Sequence, residues 1–195
     1  MTTANKVTIA RILLIPVFVV ETIYYTRGGD ELHRFIGLIA FAVAAISDGI
    51  DGYIARRYNQ KSELGAILDP LADKLLLISG ILLLSLDNEP FFRRIPLWLT
   101  GIVLSRDVIL VLGLIVIHYT FGAVKVRPRA VGKIATFFQM ALVLWILLKW
   151  NDIALPWLAG IAGALTALSG ILYFSDGIRQ LSASPTSSPI NTKNG

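Results

Sequence analysis

Apolar residues fill six long segments, at approximately 7–25, 33–55, 66–86, 95–119, 131–150 and 154–175, and polar residues gather between them. Each segment is near the ~20 residues that a helix rising 1.5 Å per residue needs to cross the hydrocarbon of a bilayer. The pattern therefore predicts six transmembrane helices. The links are short and rich in turn formers: Arg27-Gly28-Gly29-Asp30, then Asp87-Asn88-Glu89-Pro90, then Asn151-Asp152 ahead of Pro156. Asn5 is suited to cap the first helix, with Arg11 inside it. From Ser182 onward the chain reads SASPTSSPINTKNG, a polar stretch of low complexity expected to be disordered. The expectation is one all-α, polytopic membrane domain over 1–181 and a disordered tail over 182–195, with no internal repeat.

Composition agrees with this picture. The 195 residues are 55% hydrophobic and 16% charged, too apolar for an ordinary soluble domain. The absence of cysteine excludes disulfides and thiolate metal sites, and His33 and His118 stand too far apart to favour a histidine zinc centre. No nucleic-acid motif is present, and the net charge of +5 fits cytoplasmic loops facing anionic lipid. The apolar run from Ile12 is soon followed by Glu21 and has no small-residue cleavage site, so a cleavable signal is not expected.

Lysine and arginine set the orientation. Eleven of the 18 fall on the side of the N-terminus, the second and fourth links and the C-terminus; five fall on the other side, and Lys74 and Arg106 lie inside spans. The first side is expected to be cytoplasmic, with both termini there, in a multi-pass protein of the cell membrane.

One stretch breaks the apolar pattern. Between Ser47 and Lys74 stand four aspartates, Asp48, Asp51, Asp69 and Asp73. Spacings of three and four residues put each pair on one helix face. Two such pairs on neighbouring helices can converge on hard divalent cations, which prefer oxygen ligands. Gly52, Ala55 and Gly65 lie between the pairs, and small residues let a bulky ligand approach the backbone. Arg56 and Arg57 add positive charge. The blander reading is that the aspartates cap helices or pair with Arg56, Arg57 and Lys74. Pro70 predicts either a regular helix starting near Asp69 or a kink, and both would open backbone beside a polar cavity.

The spacing Asp-x2-Asp-Gly-x2-Ala-Arg-x8-Gly-x3-Asp-x3-Asp resembles the signature of the CDP-alcohol phosphotransferases, with all eight fixed positions filled. The resemblance covers about residues 5 to 175. It implies metal-dependent transfer of a phosphatidyl group from CDP-diacylglycerol to an alcohol, with release of CMP, in glycerophospholipid synthesis. It further implies Mg2+ or Mn2+ held by Asp48, Asp51 and Asp69, with Asp73 as general base that also touches metal. Gly52, Ala55, Arg56 and Gly65 match positions shaping the nucleotide pocket. Asn5, Thr8 and Arg11 look like the family's N-terminal Asn-x2-Thr-x2-Arg element, which adds Thr8 to the nucleotide-binding set. Arg106 and Lys133 resemble positions lining the acceptor-phosphate pocket of phosphatidylglycerophosphate synthases. The basic link carrying Arg127 and Arg129 could grip the same phosphate or simply follow the cytoplasmic bias of positive charge. Arg106 and Asp107, mid-span, could equally form a structural pair. The family also implies a homodimer.

The acceptor is expected to be sn-glycerol 3-phosphate. Phosphatidylglycerol, as in a cardiolipin synthase, is the alternative, because Ser105-Arg106-Asp107-Val108 looks more like that type, whereas glycerophosphate enzymes more often carry Glu after the Arg. Two other classes fit less well. A membrane prenyltransferase also holds a pyrophosphate with aspartates and Mg2+, but usually has more helices and lacks these small residues. A cation transporter would place its carboxylates at the midplane and needs no nucleotide pocket.

Overall fold

The computed structural model describes residues 3–58, 63–121 and 130–182; the side chains of 3–6, 48–58, 63–67 and 179–182, and several near the end of the fourth helix, lie outside the described residues. Six helices are present and no strand is found among the described residues: α1 (Thr3–Gly28), α2 (Glu31–Tyr58), α3 (Glu63–Ser85), α4 (Leu97–Phe121), α5 (Ala130–Leu147) and α6 (Leu155–Ser182). The six predicted segments are thus the six helices, most of them extended at one or both ends. The tail beyond Ser182 lies outside the described residues.

Local chemistry sets the breaks. Gly29 has φ of +72°, and its amide donates to the Tyr25 carbonyl at 2.8 Å, closing α1 in a left-handed turn. A side chain there would also strike the Phe91 ring, 2.9 Å from the place a Cβ would take. Asp30 Oδ1 then accepts from the Leu32 amide at 2.9 Å, capping α2. Pro96 immediately precedes α4, and Pro156 lies in the first turn of α6, where its missing N–H costs nothing. Pro70 does not start α3. It lies inside that helix, so the regular backbone begins earlier than a start near Asp69.

The core sits around α3, which touches α1, α2, α4 and α5, while α6 packs on α4 and α5. Leu76, Leu77, Ile81 and Leu84 of α3 are buried among Phe18, Phe41, Leu99, Val143 and Ile146. Gly80 allows the close approach: a Cβ there would lie 3.0 Å from Val143 Cγ1 and 3.2 Å from Phe41 Cε2. The outside is as apolar as the inside, with Leu13, Val20, Val111, Leu112, Phe137 and Ile171 all exposed. Such a surface suits lipid and not water. Among the described residues, Val7–Gly28, Ala130–Leu147 and Leu155–Ile178 are long and apolar enough on their own to cross a membrane. Helices α3 and α4 carry Asp69, Asp73, Lys74, Arg106 and Asp107 in or near their interiors, and such groups must face partners inside a bundle. The chain is an all-α membrane protein.

Candidate active site

Helices α1 and α3 run side by side, and two rungs join them. The Thr8 hydroxyl donates to Asp69 Oδ1, and Arg11 Nη1 donates to Asp73 Oδ1 at 2.8 Å. Thr8 and Arg11 are three residues apart and Asp69 and Asp73 four, so each helix contributes one turn of one face. The Arg11 side chain is 0% exposed and that of Asp73 29%, so the carboxylate stands at the edge of the buried region with its cation behind it. A buried guanidinium demands such a counter-charge.

A second cluster lies on the other side of α3. Arg106 and Asp107 of α4 are both buried. Asp107 Oδ1 accepts from Arg106 Nη1 at 2.7 Å and also from Lys74 Nζ, the residue that follows Asp73. Arg106 Nη2 donates to Ser169 Oγ of α6 at 3.2 Å, and the guanidinium carbon lies 5.8 Å from the centre of the Tyr173 ring. Helix α5 closes the cluster with bare backbone, since a Cβ on Gly132 would lie 3.1 Å from Arg106 Nη2 and 3.2 Å from Ser169 Oγ. Arg106 Nε and Asp107 Oδ2 are buried without a hydrogen-bond partner among the described residues. Lys74, next to Asp73 in sequence, therefore links the aspartate face of α3 to the buried Arg106–Asp107 cluster of α4. Arg106 is thus a member of a structural pair with Asp107 that also reaches α6 through Ser169.

Of the expected residues, the structure brings Thr8, Asp69, Asp73 and Arg106 to one end of the bundle. Lys133 is exposed in the first turn of α5, next to Gly132. Asp48, Asp51, Gly52, Ala55 and Arg56 lie in α2 and Gly65 in α3, but their side chains are outside the described residues; Arg127 and Arg129 are outside them altogether. Asp69 and Asp73 are carboxylates one turn apart on a helix, a donor pair that fits a hard cation. No group of three candidate ligands occurs among the described residues, so the full set would need Asp48 and Asp51.

Lys74, Asp107, Ser169 and Tyr173 were not expected as a unit. Their signal in the sequence is faint: Thr166, Ser169 and Tyr173 recur at three and four residues along an otherwise apolar segment. Thr166 belongs to the same stripe, accepting from Gln139 of α5.

The opposite end of the bundle is polar in another way. Glu31 accepts from Arg34, from Lys149 at 3.1 Å and from Tyr25 at 3.1 Å. These donors, Arg34 foremost, hold its carboxyl at a pKa of about 2. A cavity of about 540 Å3 between Phe92, Trp145 and Trp150 opens there. The Arg93 and Lys149 that line it are already paired with Asp152 and Glu31.

Comparison with known proteins gives the family. A family model described as CDP-alcohol phosphatidyltransferase matches residues 1–172. The CDP-diacylglycerol–glycerol-3-phosphate 3-phosphatidyltransferase of Bacillus subtilis is 35% identical, over 88% of this chain and 92% of its own length. A Mycobacterium tuberculosis protein named "Probable phosphatidylglycerophosphate synthase" is 31% identical over 91% of this chain and 82% of its own. A Drosophila melanogaster protein named "Probable cardiolipin synthase (CMP-forming)" is 34% identical over 88% of this chain and 57% of its own. With the family model covering most of its length and the Asp69–Asp73 turn braced by α1, this chain belongs to the CDP-alcohol phosphatidyltransferase family.

Proposed function

We propose that the chain is a phosphatidylglycerophosphate synthase, transferring a phosphatidyl group from CDP-diacylglycerol to sn-glycerol 3-phosphate and releasing CMP. The observation that carries the acceptor is the buried Arg106, its Nε without a partner among the described residues, tied through Asp107 and Lys74 to the helix of Asp69 and Asp73. A buried guanidinium with spare donors suits a phosphate monoester. Relatives named for this reaction support the reading.

Asp48, Asp51 and Asp69 would hold the cation, Mg2+ or Mn2+, with Asp73 as a further carboxylate of the set. Enzymes of the family generally use divalent cations, and an ion held there would supply charge neutralisation to the pyrophosphate leaving group. Thr8 fixes Asp69, and Arg11 fixes Asp73. Gly52, Ala55, Arg56 and Gly65, with Thr8 behind them, form the nucleotide side. Arg106, helped by Lys133, Arg127 and Arg129, holds the acceptor phosphate. Asp73 takes the proton of the attacking hydroxyl as its oxygen bonds to the phosphatidyl phosphorus, and the bonding pair to CMP departs with the nucleotide. The two sides meet across α3, which sets the acceptor beside the pyrophosphate. The termini and this site face the cytoplasm of the cell membrane, where CDP-activated lipid and glycerol phosphate meet, and the enzyme works as a homodimer.

A second reading is favoured by Asp107 following Arg106 and by the Drosophila relative: cardiolipin synthesis from CDP-diacylglycerol and phosphatidylglycerol. Purified protein given CDP-diacylglycerol should release CMP when glycerol 3-phosphate and a divalent cation are added, and form phosphatidylglycerophosphate. CMP release with phosphatidylglycerol alone would establish the second reading instead, and no transfer to either acceptor would refute both.

A further inference from the structure

Two adjacent residues each keep one buried polar atom without a partner among the described residues: a donor, Arg106 Nε, and an acceptor, Asp107 Oδ2. Both residues are only 8% exposed. Their other contacts explain why. Arg106 meets Asp107 end-on, through Nη1 and Oδ1, at 2.7 Å, instead of as a fork. Lys74 takes the same Oδ1, and Ser169 takes Nη2. The inward N–H of the guanidinium and the far oxygen of the carboxylate are thereby left over. A carboxylate oxygen shut away from donors is costly, and native structures rarely tolerate one.

The chemistry of the two leftover atoms defines what fits. A plain phosphate would satisfy Arg106 Nε but would set negative charge against Asp107 Oδ2. A neutral alcohol would satisfy Oδ2 and leave the guanidinium unused. A small molecule that carries an anionic oxygen and a hydroxyl a few bonds apart satisfies both. Phosphoglycerol is such a molecule: one hydroxyl reacts, and a second remains to donate.

We propose that Asp107 is a specificity-determining residue that accepts, through Oδ2, a hydrogen bond from the non-reacting hydroxyl of a phosphoglycerol acceptor whose phosphate rests on Arg106. The inference deepens the phosphatidyl-transfer reading and rests on it. The phosphoglycerol group belongs equally to free glycerol 3-phosphate and to the headgroup of phosphatidylglycerol, and the test separates the two. Asp107 selects for the hydroxyl, while Lys74 only steadies Asp107 through the other oxygen.

The experiment compares glycerol 3-phosphate with 3-hydroxypropyl phosphate, which keeps the phosphate and a primary hydroxyl but lacks the secondary one. A hydrogen bond to a charged group predicts that the full chain in detergent prefers glycerol 3-phosphate by ~10- to 100-fold in kcat/KM. Asp107→Ala should bring the ratio to within about two-fold, and Asp107→Asn, which keeps the shape and a neutral acceptor oxygen, to an intermediate value. Lys74→Gln should lower kcat/KM for both acceptors and leave the ratio standing. The ratio is the readout because a merely structural defect lowers both acceptors together. If Asp107→Ala does not fold, Asp107→Asn and the wild-type ratio still decide. Equal use of the two acceptors by the wild type, or an unchanged ratio in Asp107→Asn, overturns the inference. If the wild type turns over only phosphatidylglycerol, the glycerol-phosphate reading fails alone. The same comparison with phosphatidyl-1,3-propanediol, which lacks the secondary hydroxyl, then upholds or overturns the role of Asp107. Turnover with none of the four acceptors overturns both.

Discussion

Replacing Asp73 with Asn tests the proposed base and its bracing in one experiment. The substitution keeps the volume and removes the charge. Asp73 faces Arg11 at 2.8 Å, and the arginine side chain is 0% exposed while the carboxylate is 29% exposed. A fully buried pair broken on one side costs ~3–5 kcal/mol, and an exposed one ~0–1. With one partner wholly buried and the other at the edge, about 2–3 kcal/mol is expected, or a melting temperature lowered by roughly 4–12 °C in a chain of this size. Turnover should fall separately, by ~10²–10⁴-fold, because no carboxylate takes the acceptor proton. Binding of CDP-diacylglycerol with Mg2+ should survive, since Asp48, Asp51 and Asp69 remain. Combining Asp73→Asn with Arg11→Met separates the two effects. The double variant should recover most of the lost stability, because the buried charge has gone with its partner, yet stay inactive. Melting curves in detergent and saturating CMP-release rates give both numbers, and the coupling is read as a double-mutant cycle. Additive losses of stability would refute the pairing. Turnover retained at saturating substrate with weakened nucleotide-lipid binding would make Asp73 a metal ligand only.

Asp48→Asn should cut CMP release by orders of magnitude, and chelation should do the same to the wild type; full activity in either case would remove the cation from the mechanism. Gly132→Ala puts a methyl 3.1 Å from Arg106 Nη2 and 3.2 Å from Ser169 Oγ, so the guanidinium must move by a few tenths of an ångström. The KM for the acceptor should rise ~3- to 30-fold with that for CDP-diacylglycerol little changed, a scale set by weakening one charged hydrogen bond; equal rises in both would assign Gly132 to packing alone. The Glu31 carboxyl sits at about 2 in the fold against 4.5 in the unfolded chain, chiefly through Arg34. Its contribution is therefore complete above about pH 4.5 and lost as pH falls toward about 2. The stability gap between wild type and Glu31→Gln should shrink across that window, and a gap independent of pH would refute the assignment.

The sequence by itself determined the six helices and the character of the aspartate stretch. Apolar runs of bilayer length leave a chain few alternatives, because only a helix satisfies its own backbone in hydrocarbon. The one local feature misjudged as a possible boundary was Pro70: proline disfavours the residue before it locally, but the helix continues through Asp69 to Glu63. The eight-residue spacing also identified the family before any fold was known, since each fixed position sits on two helices joined by a short link. What the sequence could not contain is which remote residues answer those charges. Thr8 and Arg11 lie about sixty positions from Asp69 and Asp73, and only the packing of α1 on α3 makes them partners. Arg106 read as either a structural pair or a phosphate ligand. Tertiary structure gave it Asp107, Ser169 and the bare backbone of Gly132, and left Nε without a partner among the described residues. Periodicity reports which face of a helix is polar; which polar face meets which, and which atoms remain unsatisfied when they meet, is decided by the angles and separations of packed helices.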